Sequence, residues 1–222
     1  MNNKLRTVLF DLDGTLADTA PDMAAALNRL LAEQGCKPLP YDTIRPMVSH
    51  GAKALVRLGF GIEPEDDRFE PLRRRFLEIY SENLCRGTRL FPGMPQLLAD
   101  LKTRGLNWGI VTNKPAFLTE PLIAQLGLKD GMSCVVSGDS TTNRKPHPEP
   151  MLHACRLAGS NPDQCLYIGD AERDIEAGRL AGMKTLVALF GYIGGDDRPE
   201  QWGADGLVRT PLEILDWIGT HA

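Results

Sequence analysis

The chain has 222 residues, 42% hydrophobic and 24% charged, which suits one sizeable core with room for an inserted unit. A net charge of −4 and the lack of a long basic stretch exclude a phosphate-tracking nucleic-acid surface; Arg73-Arg74-Arg75 reads as a solvated helical triplet whose side chains diverge. Five scattered cysteines without a CxxC pair form neither a disulfide framework nor a zinc site, and no apolar run suits a signal peptide or a membrane span, so a cytoplasmic protein without a membrane partner is expected.

Thr7-Val8-Leu9-Phe10 reads as a buried strand, because β-branched and aromatic residues cluster there. Asp11, Asp13 and Gly14 follow at once. Two carboxylates that close repel, and each is costly to desolvate unless a cation stands near. From residue 20 to about 86 the pattern turns helical. Residues 22–35 form one helix closed by Gly35, and 40–61 form two short helices with Pro46 near the end of the first or in the joint. Residues 66–85 form a longer helix, and no strand is read in this stretch.

From residue 93 onward, helices 93–104, 116–126, 148–158 and 172–181 precede strands 108–113, 133–139, 165–170 and 184–191. A short strand at 205–210 and a helix at 211–219 close the chain. Apolar strands alternating with helices make an α/β fold, a parallel sheet covered on both faces. Three strands finish polar, at Asp11/Asp13, Thr112/Asn113 and Gly169/Asp170. Ligands of such sheets bind outside the carboxyl ends of the strands, so these distant residues are expected to converge.

The expected constellation is Asp11, Asp13, Asp170 and Asp174 with Thr112 and Lys145. Several carboxylates in one crevice suit a hard divalent cation, Mg²⁺ above all when a phosphate is the ligand. Lys145, in a loop stiffened by Pro146 and Pro148, supplies the second positive charge that a phosphate dianion needs. Each residue has a plainer reading. Asp-Gly is common turn chemistry, Thr112-Asn113 suits an N-cap for the helix near Pro115, and Asp170 suits one for 172–181. Asp174 suits an intrahelical pair, Lys145 a solvated side chain, and Ser49 a cap before His50 and Lys53. Four such segments in register outweigh those readings.

The segments "DLDGTLADT", "VTNKP", "RKPHPEP" and "GDAERDIEAGRLAG" resemble, in order, the four signature motifs of the haloacid dehalogenase (HAD) superfamily, and the resemblance covers the whole chain. It implies a Rossmann-like core, the HAD fold, from residues 1–16 and 88–222, with an inserted helical C1 cap domain at 17–87. It further implies that Asp11 is the nucleophile and Asp13 the general acid, then the base. Thr112, Asn113 and Lys145 would bind the phosphoryl group. Asp11, the Asp13 carbonyl and Asp170 would bind Mg²⁺, with Asp174 acting at one remove or through water. Related dehalogenases lack Asp at position 13 and P-type ATPases carry Thr there, so Asp13 implies rapid hydrolysis or mutase chemistry.

Within "VSHGAKAL", His50, Gly51 and Lys53 resemble the substrate-specificity segment of the phosphoglycolate phosphatase-like members. The implied activity is Mg²⁺-dependent hydrolysis of a small phosphorylated metabolite by a monomer or homodimer. The tail "GYIGGDDRPEQWGAD", 191–205, resembles that of members acting on N-acetylmuramic acid 6-phosphate in peptidoglycan recycling, although Tyr192 and Trp202 also read as ordinary surface or core aromatics. The alternative substrate is 2-phosphoglycolate. The rival classes are a β-phosphoglucomutase-like phosphomutase and a non-catalytic binding protein, the latter expected to carry degraded motifs.

Overall fold

The computed structural model describes residues 4–221. Met1 to Asn3, part of the opening segment searched for a signal peptide, and Ala222 lie outside the described residues. The strands are β1 (Thr7–Phe10), β2 (Ala17–Asp18), β3 (Arg89–Leu90), β4 (Asn107–Val111), β5 (Cys134–Val136), β6 (Cys165–Gly169), β7 (Lys184–Ala188) and β8 (Gly206–Val208). The helices are α1 (Ala20–Glu33), α2 (Tyr41–Ile44), α3 (Gly51–Phe60), α4 (Phe69–Ser81), α5 (Met94–Thr103), α6 (Ala116–Gln125), α7 (Glu149–Ala158), α8 (Glu172–Ala181) and α9 (Glu213–His221).

Six strands form one parallel sheet in the order β5-β4-β1-β6-β7-β8. β1 lies inside it, with Phe10 registered against Ile110 on one side and Ile168 on the other. That position explains its unbroken apolar run, since both faces of β1 are covered. Val8 and Phe10 pack with α5 and α9 on one face, while Leu9 packs with α7 and α8 on the other. The chain leaves β1 toward β4 and β5, then returns to β6 on the opposite side. The carboxyl end of β1 therefore sits where the order reverses, the ligand crevice of open α/β sheets.

The stretch from α1 to α4 carries no strand, as expected, and builds its own apolar cluster around Leu27, Leu30, Val56, Phe76 and Tyr80. Differences from the expected elements have local causes. Pro46 lies near the start of a 3₁₀ turn, Arg45–His50, that joins α2 to α3, because proline lacks the N–H a continuing helix would need. α4 is shorter than 66–85. Asp66 accepts the Arg68 amide and guanidinium at its start, and the chain after Ser81 runs toward Asp22. The buried Asp22 carboxylate accepts the amides of Gly87 (2.7 Å) and Thr88 (2.8 Å), stapling the end of the insert to its beginning. β2 and β3 pair antiparallel at the two edges of the insert, a ribbon too short for any periodicity to reveal. The sheet strands also end earlier than expected, β4 at Val111 and β6 at Gly169, so that Thr112, Asn113 and Asp170 lie just beyond them.

Gly109 in β4 shows how tightly the sheet is covered. A Cβ there would stand 2.8 Å from the Cys134 carbonyl oxygen, which is backbone and cannot move cheaply. Gly109→Ala is expected to destabilise the protein by about 1–3 kcal/mol, read as a lower denaturant midpoint. An unchanged midpoint would contradict the pairing of Gly109 with Cys134.

Candidate active site

Asp11, at the end of β1, is 4% exposed and one of its oxygens accepts the Leu12 amide (2.8 Å). Lys145 Nζ lies 2.9 Å from that same oxygen and 2.7 Å from Asp174. The Tyr167 hydroxyl (2.8 Å) and the Val111 carbonyl (3.0 Å) complete an oxygen cage around the ammonium. Lys145 is thus the reverse of a solvated lysine. Its loop is held by Asn113, whose amide donates to the Lys145 carbonyl and whose oxygen accepts the Lys145 amide, both at 3.0 Å. Thr112 is buried beside it and accepts the Lys114 amide (3.2 Å).

Neither Thr112 nor Asn113 caps α6; Asp139 accepts the Ala116 amide instead (2.8 Å). Asp170 does not cap α8 either. Its carboxylate accepts the Tyr192 amide (2.9 Å), the Ser49 hydroxyl (2.7 Å) and the Thr15 hydroxyl (3.3 Å). Ser49 is therefore a contact between the insert and the sheet, not the cap of α3. Asp174 is fully buried in the first turn of α8 and accepts the Ala171 amide (3.1 Å), so its ionic partner is Lys145 across the crevice rather than a neighbour on its own helix.

Oxygens of Asp11, Asp170 and Asp174 all lie within 4.8 Å of one another. Burial pushes the Asp11 carboxyl up, and burial with the charges of Asp174 and Asp11 pushes Asp170 up to about 7. Lys145 and Arg173 are the cations that face these three carboxylates. Burial opposes the Arg173 charge, but Asp174, Asp11 and Asp170 outweigh it and hold the guanidinium above its ordinary value. An all-oxygen donor set, crowded and short of positive charge, fits a hard divalent ion such as Mg²⁺. The Asp13 carboxylate stands apart from this group. Lys114 Nζ reaches its two oxygens at 2.9 and 3.0 Å, and the Thr19 hydroxyl donates to it (2.6 Å). Its side chain is accordingly not among the carboxylates that Asp11, Asp170 and Asp174 bring together.

Asp11 and Asp13 open into a cavity of about 460 Å³, whose lining does not include Lys145, Asp170 or Asp174. Asp11, Asp13, Thr112, Asn113 and Lys114 line its sheet side, and His50, Gly51, Lys53, Arg73 and Tyr80 line the insert side. The structure thus brings His50, Gly51 and Lys53 to the same cavity as the motif residues. Burial, then the Arg173 charge, holds His50 below its ordinary value, which favours a neutral imidazole over an anion-binding cation. Gly51 starts α3 at φ +75°, a conformation that suits glycine.

Several contributors escape a reading of the sequence. Lys114 lies inside the quoted "VTNKP" yet carries no signal that its side chain returns to Asp13. Arg173, Tyr167 and Ser49 sit beside motif residues and act across the fold. Tyr192 is a buried aromatic with a polar task. Its hydroxyl donates to Asp18 (2.8 Å) and accepts the Thr19 amide (2.6 Å), tying the tail segment to the start of the insert. Trp202 packs against Ile175 and Val187, as a core aromatic.

The family profile described as Haloacid dehalogenase-like hydrolase matches residues 8–188. A protein of Pseudomonas putida named N-acetylmuramic acid 6-phosphate phosphatase is 46% identical over 211 residues, 95% of each chain. A Xanthomonas campestris protein named phosphoglycolate phosphatase is 44% identical, also over 95% of each. Among solved structures, a predicted phosphoglycolate phosphatase from Haemophilus somnus aligns with a TM-score of 0.85 at 30% identity, covering 96% of this chain and 97% of its own.

The raised Asp170 carboxyl predicts a pH effect in the presence of a chelator. Its folded value of about 7 exceeds the ordinary 3.8, so folding favours the protonated form. That stabilisation is full below about pH 4 and is lost as pH rises through 7. Wild type should therefore lose more melting temperature than Asp170→Asn between about pH 5 and pH 7.5. Magnesium should restore wild type and not the variant. Parallel melting profiles for the two proteins would contradict the crowding of these carboxylates.

Proposed function

The chain belongs to the haloacid dehalogenase-like hydrolase family, and from that premise we propose that it is a phosphoric monoester hydrolase working through a phosphoaspartate on Asp11. One observation carries the reading. Asp11 stands at the cavity with one oxygen held by Lys145, while Asp13, two residues on, is held separately by Lys114.

In the proposed reaction Asp13 first takes the proton of the bound phosphate monoanion; an Asp11 oxygen then attacks phosphorus, and the bond to the ester oxygen breaks as Asp13 delivers that proton to the ester oxygen. An alcohol leaves. Asp13, now a carboxylate, takes a proton from water, whose oxygen attacks phosphorus. The bond to Asp11 breaks, inorganic phosphate leaves and the Asp11 carboxylate is restored. Lys145 and Thr112 would donate to the transferring phosphoryl oxygens, which need fixed donors more than covalent help. Asp11 and Asp170, with the Asp13 carbonyl and Asp174 in support, would hold Mg²⁺, which when bound supplies charge neutralisation to the phosphoryl group.

Residues 17–87 would serve as the cap that excludes bulk water during transfer. Their apolar cluster, which Phe91, Leu118 and Tyr192 join to the rest of the fold, and the Ser49 bond to Asp170 support that role. The proposed substrate is N-acetylmuramic acid 6-phosphate. The Pseudomonas relative supports it, as does a cavity in the size range of drug-sized ligands rather than of a two-carbon acid. 2-Phosphoglycolate is the second reading, favoured by the Xanthomonas relative. Free thiols at all five cysteines support a cytoplasmic setting.

Asp11→Asn keeps the shape and removes the attacking charge, so kcat is expected to fall by about 10³-fold or more. Most of the activity surviving on an aryl phosphate would rule out the phosphoaspartate. Asp13→Ala should lose far more on an alkyl phosphate than on nitrophenyl phosphate, whose leaving group needs no proton. Equal losses on the two esters would remove Asp13 from the role of general acid.

A further inference from the structure

Arg73, Leu77 and Tyr80 of α4 line the cavity from the insert side. Spacings of four and three residues put them on one helix face, in a stripe two turns long. The Tyr80 end lies at the reaction centre. Lys114 Nζ sits 4.7 Å from the centre of the Tyr80 ring, and the same nitrogen reaches Asp13 at 2.9 Å. Arg73 is seven residues back, about 10 Å along the axis at the helical rise.

At that far end the guanidinium is already fixed. Its Nε and Nη2 donate to the two Glu70 oxygens at 2.7 and 2.6 Å, while Nη1 makes no hydrogen bond with any described residue. Lys53 of α3 lines the same cavity, and its charge reaches Glu70, which Arg73 chiefly holds below the ordinary carboxylate range. A clamped guanidinium with donors to spare, reinforced by an ammonium, suits a carboxylate. Independently, the Tyr80 hydroxyl is buried beside the Lys114 ammonium, which can only donate to it, and its own proton reaches no acceptor among the described residues. Burial pushes it up to about 12, so it stays a donor. A buried donor left unpaired points to a polar group supplied by a ligand.

We infer that α4 reads the leaving group of the substrate, Arg73 with Lys53 binding a carboxylate about two helix turns from the phosphate and Tyr80 donating to a polar atom between them. The inference rests on the phosphatase reading and narrows its substrate to phosphate esters of bulky carboxylic acids. In glycolate a single methylene separates the carboxyl carbon from the ester oxygen, which cannot bridge that span. A sugar ring bearing an acidic substituent can.

The test is kcat/KM for N-acetylmuramic acid 6-phosphate and for N-acetylglucosamine 6-phosphate, which lacks the acid, in wild type, Arg73→Met and Arg73→Lys. Wild type should prefer the acid by about tenfold or more, Arg73→Met should erase most of that preference through KM on the acid, and Arg73→Lys should keep part of it. Melting midpoints and far-ultraviolet circular dichroism report whether each variant is folded. Equal treatment of the two sugars by wild type overturns the inference, as does a preference that survives Arg73→Met or a higher kcat/KM on 2-phosphoglycolate. Each of these leaves the phosphatase standing. A wild type that hydrolyses no phosphate ester removes the phosphatase reading itself, and the inference with it.

Discussion

Three buried carboxylates in one place constrain everything around them. Asp11, Asp170 and Asp174 come from β1, the end of β6 and α8, and their oxygens lie within 4.8 Å. Repulsion and desolvation both oppose that arrangement, and a buried ion pair returns little net stability even when well made. Lys145 bridges Asp11 and Asp174, whereas Asp170 depends on neutral donors from Ser49, Tyr192 and Thr15. The backbone has adapted to the crowding. A Cβ on Gly169 would stand 2.3 Å from that of Asp174, and one on Gly14 would meet the Asp170 carboxylate at 2.1 Å. An arrangement this unfavourable for folding alone is what a cation and a phosphate would repay, which ties the energetics of the site to its proposed chemistry.

The insert is attached in two different ways. At its base Asp22 accepts backbone amides of Gly87 and Thr88, Tyr192 binds Asp18 and the Thr19 amide, and the β2–β3 ribbon joins the two connections. At its tip the Ser49 hydroxyl donates to Asp170 and Arg173 donates to the Ser49 carbonyl, both through side chains. On the proposed reading, several ties at the base and two at the tip suit a cap that stays registered while it admits substrate. The contact of Ser49 with Asp170 would make that closure sensitive to what the carboxylates hold.

The alternation of apolar strands and helices was legible because the inner strands β1 and β6 are buried along their whole length. The motif carboxylates, Thr112, Asn113 and Lys145 were legible as a set because polar residues at strand ends of a parallel sheet have one place to go. Other features depend on where side chains reach, which spacing does not encode. Lys114 and Asp13 are 101 positions apart and meet only once β1 and β4 are adjacent. The solvated reading of Arg73-Arg74-Arg75 fits Arg74, which is exposed, and not Arg73: the side chains diverge, Arg75 to Glu33 and Arg73 to the cavity. What the sequence lacked was the knowledge that one of those directions is the substrate's. The N-cap readings of Asp170 and Ser49 failed for a related reason, since a carboxylate or hydroxyl beside a helix start binds across the fold when a better partner stands there.

In the proposed reaction Asp11 carries the phosphoryl group between alcohol and water. Acid quenching of the enzyme during turnover, followed by peptide mass mapping, measures this directly. A phosphoryl adduct is expected on the peptide containing Asp11, appearing within the first turnover and vanishing when substrate is exhausted. Full turnover with no adduct on any quenched peptide, or an adduct confined to a peptide without Asp11, would contradict it.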